Sequence, residues 1–194
     1  MKPGFLKRLS AYLIDIVLVS IVASIISVGI NTNTDKYTEE LSTLMTDYMN
    51  GEVTMEEYLS KTEDLNYEIQ KRSVIPNTIN LVVTVGYFIV FAYLNKGQTI
   101  GKKLLKIKVV AKDTNDAPSL VAITIRSILI LGIISSLCQV ILINFLSKTS
   151  YFYTSNIITG IEEIILIISA FFILYRSDKN GIHDLIAKTE VVSE

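Results

Sequence analysis

Apolar residues fill four stretches of the chain, Leu9–Ile30, Val74–Leu94, Leu120–Leu146 and Ile157–Tyr175. Each approaches or exceeds the about 17–25 residues that a helix needs to cross a bilayer. The fourth is interrupted by Glu162 and Glu163, one to two turns inside it. Between the first two, the pattern changes. Tyr37, Leu41, Leu44, Met45 and Tyr48 recur at helical spacing, and Asn50-Gly51 then supplies a stop. Thr54 followed by Glu57 reads as a capping box that opens a second amphipathic helix carrying Met55, Tyr58, Leu59, Thr62, Leu65 and Ile69. Residues 34–72 are therefore expected to form a helical hairpin. After the second stretch, Leu105, Ile107 and Val109 alternate with lysines, and the tail Lys188–Val192 is again short and β-branched. A small sheet joining Lys106–Lys112 to Lys188–Val192 would satisfy both backbones.

Composition agrees with membrane residence. Of 194 residues, 50% are hydrophobic and only 19% charged, and the mean hydropathy is +0.46. Outside the four stretches too little apolar sequence remains for an independent soluble core. The net charge of −1 conceals a strong asymmetry. Met1–Arg8, Asn95–Ser119 and Arg176–Glu194 hold three, six and three cationic residues, whereas Asn31–Ser73 holds ten acids against four bases. Cationic residues near span ends set orientation. Both termini and the basic 95–119 loop are thus expected to be cytoplasmic, and the acidic hairpin outside. The expected fold is an all-α membrane protein of one domain over residues 1–194: a four-transmembrane-helix bundle with an extracytoplasmic helical hairpin and a small cytoplasmic β element. The expected location is the plasma membrane. The first stretch is too long for a signal peptide, contains Asp15 and lacks an A-x-A site, so cleavage is not expected.

Charge inside the apolar stretches changes the picture most. A mid-membrane Asp costs roughly 2.5–3.5 kcal/mol, so Asp15 is expected to face protein, a cation or water. Arg126, about six residues into the third stretch, falls at a similar depth if both helices are straight. Asp15 and Arg126 are then expected to pair, either to pin two helices or to tune a proton- or cation-binding carboxylate. Arg8, two helical turns before Asp15, would sit at the inner mouth. Glu162 could join Asn144 and Gln139 as a second polar station, or lie at the outer interface. His183 and Asp184 are expected to anchor the tail, His183 by a local hydrogen bond and Asp184 to a cytoplasmic loop or to Arg8.

Other motifs point away from catalysis. Gly97-x-x-x-Gly101-Lys102 is one residue short of a phosphate-binding loop and is followed by Lys103 rather than Ser or Thr. Its glycines are expected to serve turns, and the loop's six lysines to meet anionic lipid headgroups. The lone His183 and lone Cys138 cannot assemble a metal site, and nothing marks an activated nucleophile. No enzyme activity, metal, cofactor or nucleic-acid partner is expected.

Several of these segments together resemble the RDD family of small prokaryotic integral membrane proteins. They are Arg8-x-x-Ala11-x-x-Ile14-Asp15, Gly97-Gln98-Thr99-Ile100-Gly101-Lys102 with Val109-Val110, Arg126, and Gly181-Ile182-His183-Asp184-Leu185 with Thr189 and Val191-Val192. The family's name refers to one arginine and two aspartates, which the resemblance maps to Arg8, Asp15 and Asp184. The Thr34–Arg72 hairpin stands outside the resemblance as an insertion. The resemblance implies transport of unidentified ligands, Na⁺/H⁺ antiport being described for some members. Two functions are expected to compete. One is a small transporter of the cation/proton kind, working through Asp15 and assembled as a homo-oligomer. The other is a non-transporting accessory or scaffold protein that binds an extracytoplasmic protein partner through its acidic hairpin.

Overall fold

The computed structural model describes residues 2–194 and is mostly helical, with one two-stranded sheet. The first helix, α1 (Phe5–Ser27), buries Ala11, Asp15, Val19 and Ala23, a stripe repeating every four residues. Leu13, Val17, Ile21 and Ile25 point outward. That division is the one expected of a helix with protein on one side and lipid on the other.

The acidic segment forms α2 (Asp35–Met49) and α3 (Met55–Arg72), which pack against each other. Gly51, with φ +76°, makes the reversal. The Thr54 hydroxyl accepts from the Glu57 amide at 3.2 Å, which is the N-cap half of the expected capping box. Tyr48 stacks on Tyr58 across the pair, with ring centroids 4.7 Å apart. At the open end, Arg72 donates to the Tyr37 hydroxyl at 2.9 Å.

Only Ser73 separates α3 from the second apolar stretch. That stretch runs as α4 (Val74–Val85), a π-helical segment (Gly86–Phe91) and a last turn, α5 (Ala92–Leu94). A short helix, α6 (Ile100–Leu104), leads into β1 (Ile107–Ala111). The third stretch departs from expectation: it is not one straight helix. It divides into α7 (Leu120–Ile130) and α8 (Ile133–Leu142), bent by 71°. Gly132, with φ +61°, makes the corner in a conformation that side-chain-bearing residues rarely adopt. The break leaves the first amides of α8 without helical partners. Glu162 supplies them, accepting from Ile134 N at 3.2 Å and Ser135 N at 3.3 Å.

The last long helix, α9 (Lys148–Tyr175), starts well before the predicted Ile157. Its first turn meets the hairpin through a Lys148–Asp64 ion pair, and Tyr67 packs edge-on against Tyr151. The tail forms α10 (Ile182–Ile186) and β2 (Thr189–Ser193). β2 pairs antiparallel with β1, Val109 opposite Val191, as the β-branched pattern predicted. Ala11 of α1 packs against Ile107, Val109 and Val191, so the sheet meets α1 at this small residue. Among the described residues three helices are long and apolar enough to cross a membrane, Phe5–Ser27, Val74–Leu94 and Lys148–Tyr175; the bent α7–α8 pair makes a fourth if it counts as one span.

Candidate functional site

Asp15 lies on the buried stripe of α1 and is fully enclosed. The carboxylate does not pair with Arg126. Oδ1 accepts from the Tyr87 hydroxyl at 2.6 Å and from the Gly101 amide at 2.7 Å; Oδ2 accepts from the Thr99 hydroxyl at 2.5 Å. The Ile100 amide in turn donates to the Tyr87 oxygen at 2.9 Å. The π-helical segment brings Tyr87 to this point, and α6 brings the other donors. Gly101 is required by contact: a Cβ there would lie 2.2 Å from the Ala11 carbonyl oxygen and 2.9 Å from Asp15 Oδ1. Gly97 is required twice, by its φ of +89° and by the Val109 carbonyl 2.3 Å from where a Cβ would stand. The two glycines read from sequence as turn residues thus let the loop settle onto α1 and its own strand.

Arg126 finds a different carboxylate. Its Nη1 donates to Asp184 Oδ1, and also to the Thr189 hydroxyl at 3.3 Å. Arg8 Nη1 donates to Asp184 Oδ2 at 3.0 Å, and its Nε to the Pro3 carbonyl at 3.3 Å. The buried Asp184 therefore joins α1, α7 and α10, and it closes its own turn by accepting from the Gly181 amide at 3.0 Å. The expected Arg8–Asp184 link forms; the expected Asp15–Arg126 pair does not. Arg126 meets Asp184 rather than Asp15 because α10 brings that carboxylate to both arginines.

His183 Nδ1 lies 2.6 Å from the Ser169 hydroxyl, and Nε2 lies 3.4 Å from Asp184 Oδ2. Burial, then the charges of Arg126, Arg8 and Lys102, hold the imidazole well below its ordinary pKa. It is neutral at pH 7.

Lys102 was read from sequence as a headgroup-facing lysine. It lines the interior instead, and makes none of the ion pairs found among the described residues. Burial and the charge of Arg126 push its ammonium down to about 7, with Asp15 opposing and Arg8 adding to the fall. The only sequence hint of its position was the close glycine pair flanking Thr99.

Two cavities adjoin these groups. The inner one, about 380 Å³, is reached at one end by Arg8, Asp15, Lys102, Arg126 and His183, and is walled elsewhere by side chains such as Leu9, Ile130 and Leu166. The second, about 320 Å³, is lined by uncharged polar groups including Ser20, Asn77, Asn80, Thr84, Ser136 and Gln139. Leu131, beside the Gly132 corner, lines both. The proposed second station does not assemble there. Glu162 caps α8 and lines neither cavity, while Asn144, in the turn after α8, donates to the Val140 carbonyl. Gln139 does line the second cavity.

No group of three or more potential metal-ligating side chains occurs among the described residues. No curated protein and no solved structure matches the chain. The family model described as RDD matches residues 2–188, and the chain belongs to the RDD family.

Proposed function

We propose that this RDD family membrane protein is a small transporter whose path runs through the two cavities, with Asp15 as the fixed carboxylate of the inner one. The observation that carries the reading is Leu131. This apolar side chain, at the corner of a broken helix, lines both a charged cavity and a neutral polar one. Broken helices are tolerated at membrane depth where they are buried or line a cavity. Among coupling ions, a metal cation suits Asp15 poorly. Both oxygens already accept from hydroxyl and amide donors, and Arg8, Lys102 and Arg126 surround the same space. The gathering of the basic N-terminus, α6, β1 and the tail at one end supports cytoplasmic termini in a plasma-membrane protein; Lys2 pairs with Glu190 there at 2.7 Å. Few spanning helices suit a path completed by a homo-oligomer, and nothing in this reading requires an enzyme or a cofactor.

Flux in proteoliposomes under a pH or Na⁺ gradient tests the proposal. Asp15→Asn is expected to abolish gradient-driven flux. Equal flux from the variant and the native chain would remove Asp15 from the mechanism.

A scaffold role draws support from a different place. Met45, Met49, Met55 and Leu59 are exposed on the hairpin helices, a patch of adaptable side chains suited to a partner outside the membrane. Removing residues 34–72 is expected to release such a partner while leaving flux intact. Loss of flux with the partner retained would decide against the scaffold.

A further inference from the structure

The charges around the inner cavity do not balance. Arg8, Lys102 and Arg126 face it, against the carboxylates of Asp15 and Asp184, with His183 neutral. Asp184 is shared between the two arginines. Asp15 is held by two hydroxyls and an amide and forms no ion pair among the described residues. Among the described residues Lys102 has no carboxylate partner. Arg8, whose side chain is 9% exposed, keeps a buried Nη2 with no hydrogen-bond partner. A half-buried ammonium facing other cations and a buried, orphaned guanidinium nitrogen are both unfavourable, and a single bound anion would relieve both.

The rest of the cavity narrows the choice of anion. Away from the cations its wall is formed by apolar side chains, among them Phe5, Leu9, Ile130, Leu166 and Ile167. Leu166 and Ile167 are also exposed on the outer face of α9, so this end of the cavity borders the lipid-facing surface. Its volume of about 380 Å³ lies within the usual range of small-ligand sites.

We propose that the inner cavity binds an amphiphilic anion, its acidic headgroup (phosphate or carboxylate) held by Arg8, Lys102 and Arg126 and its alkyl chain lying along Leu9, Ile130, Leu166 and Ile167. This assignment rests on the reading of the inner cavity as the ligand-handling part of the molecule, and it names the ligand's class. The headgroup completes the donor set of Arg8 and supplies the missing negative charge. The chain enters sideways from the bilayer, past α9.

Native mass spectrometry of the full chain, released from phosphatidylcholine nanodiscs doped with phosphatidylglycerol or laurate, tests this directly. Acidic amphiphile is expected to be retained over phosphatidylcholine, and the species retained identifies its source. Lys102→Gln is expected to reduce retention by about tenfold or more, the scale of one lost charge-assisted contact. Lys103→Gln, on the exposed neighbour, is expected to leave it unchanged. Ala170→Leu, which adds bulk to the apolar wall without touching a charge, is expected to weaken laurate but not inorganic phosphate. Equal retention of phosphatidylcholine and acidic lipid, or native retention by both Lys102→Gln and Ala170→Leu, would overturn the proposal. So would inorganic phosphate competing as well as laurate, since the chain would then contribute nothing. Lost retention with intact flux sinks this assignment and spares the transport reading; intact retention without flux does the reverse.

Discussion

The two ends of the molecule use charge in opposite ways. In the α2–α3 hairpin, ion pairs such as Lys36–Glu40 and Lys61–Glu57 are four residues apart, exposed, and within single helices. Around Asp184 the charges come from positions 8, 126 and 184, are buried, and converge on one carboxylate. Exposed pairs gain little because water screens them and long side chains lose freedom. Buried ones are costly to break, since the surviving partner is left without compensation. The hairpin's charges therefore keep a helix pair soluble, whereas those at the other end decide which segments touch.

This contrast can be broken at its strong side first. Asp184→Ala strands two buried arginines and is expected to cost about 3–5 kcal/mol in denaturant unfolding. A loss under about 1 kcal/mol would mean that water already reaches the cluster. Next in size is Gly101→Ala, whose methyl group would press into the Ala11 backbone and the Asp15 carboxylate. About 1–3 kcal/mol of destabilisation is expected in the same assay.

A smaller, pH-dependent effect belongs to Lys102. Its folded pKa is about 7 against an ordinary 10.5, so the unfolded chain holds the extra proton between these values. Stability without ligand should therefore rise from pH 7 towards 10.5. Melting temperatures of the native chain and Lys102→Met across that range should converge as pH rises. Parallel curves would place the ammonium in water. The groups facing it, Arg8, Arg126, Asp15 and His183, are common to both proteins, and the difference isolates the lysine. Least of all, Lys61→Ala in the hairpin should leave the melting temperature unchanged within error. A clear drop there would erase the distinction between the two ends.

The sequence was most readable where structure is local. Apolar length marked the spans, Thr54 marked its helix start, and β-branched alternation marked the strands that pair as Val109 with Val191. The resemblance to the family rested on Arg8, Asp15, the 97–102 loop and the 181–185 turn, all short-range patterns. Three features were hidden. Gly132 sits in an unbroken apolar run, and a lone glycine there does not reveal that it will take a positive φ. Glu162 resembled an interfacial acid because the amides it caps exist only once that corner forms. Lys102 looked like its neighbour Lys103, though one turns inward and the other does not.

By itself, then, the chain determined its solvent, its elements and the presence of charge where charge is expensive, because these follow from hydropathy and periodicity over a few turns. Only the tertiary structure decided which carboxylate each cation meets. Asp15 and Asp184 are equally acidic on paper. The approach of α6 gave the first to hydroxyls and an amide, and the return of α10 gave the second to two arginines. Partner choice inside a low-dielectric interior depends on contacts between segments up to 176 residues apart, and no local pattern encodes them.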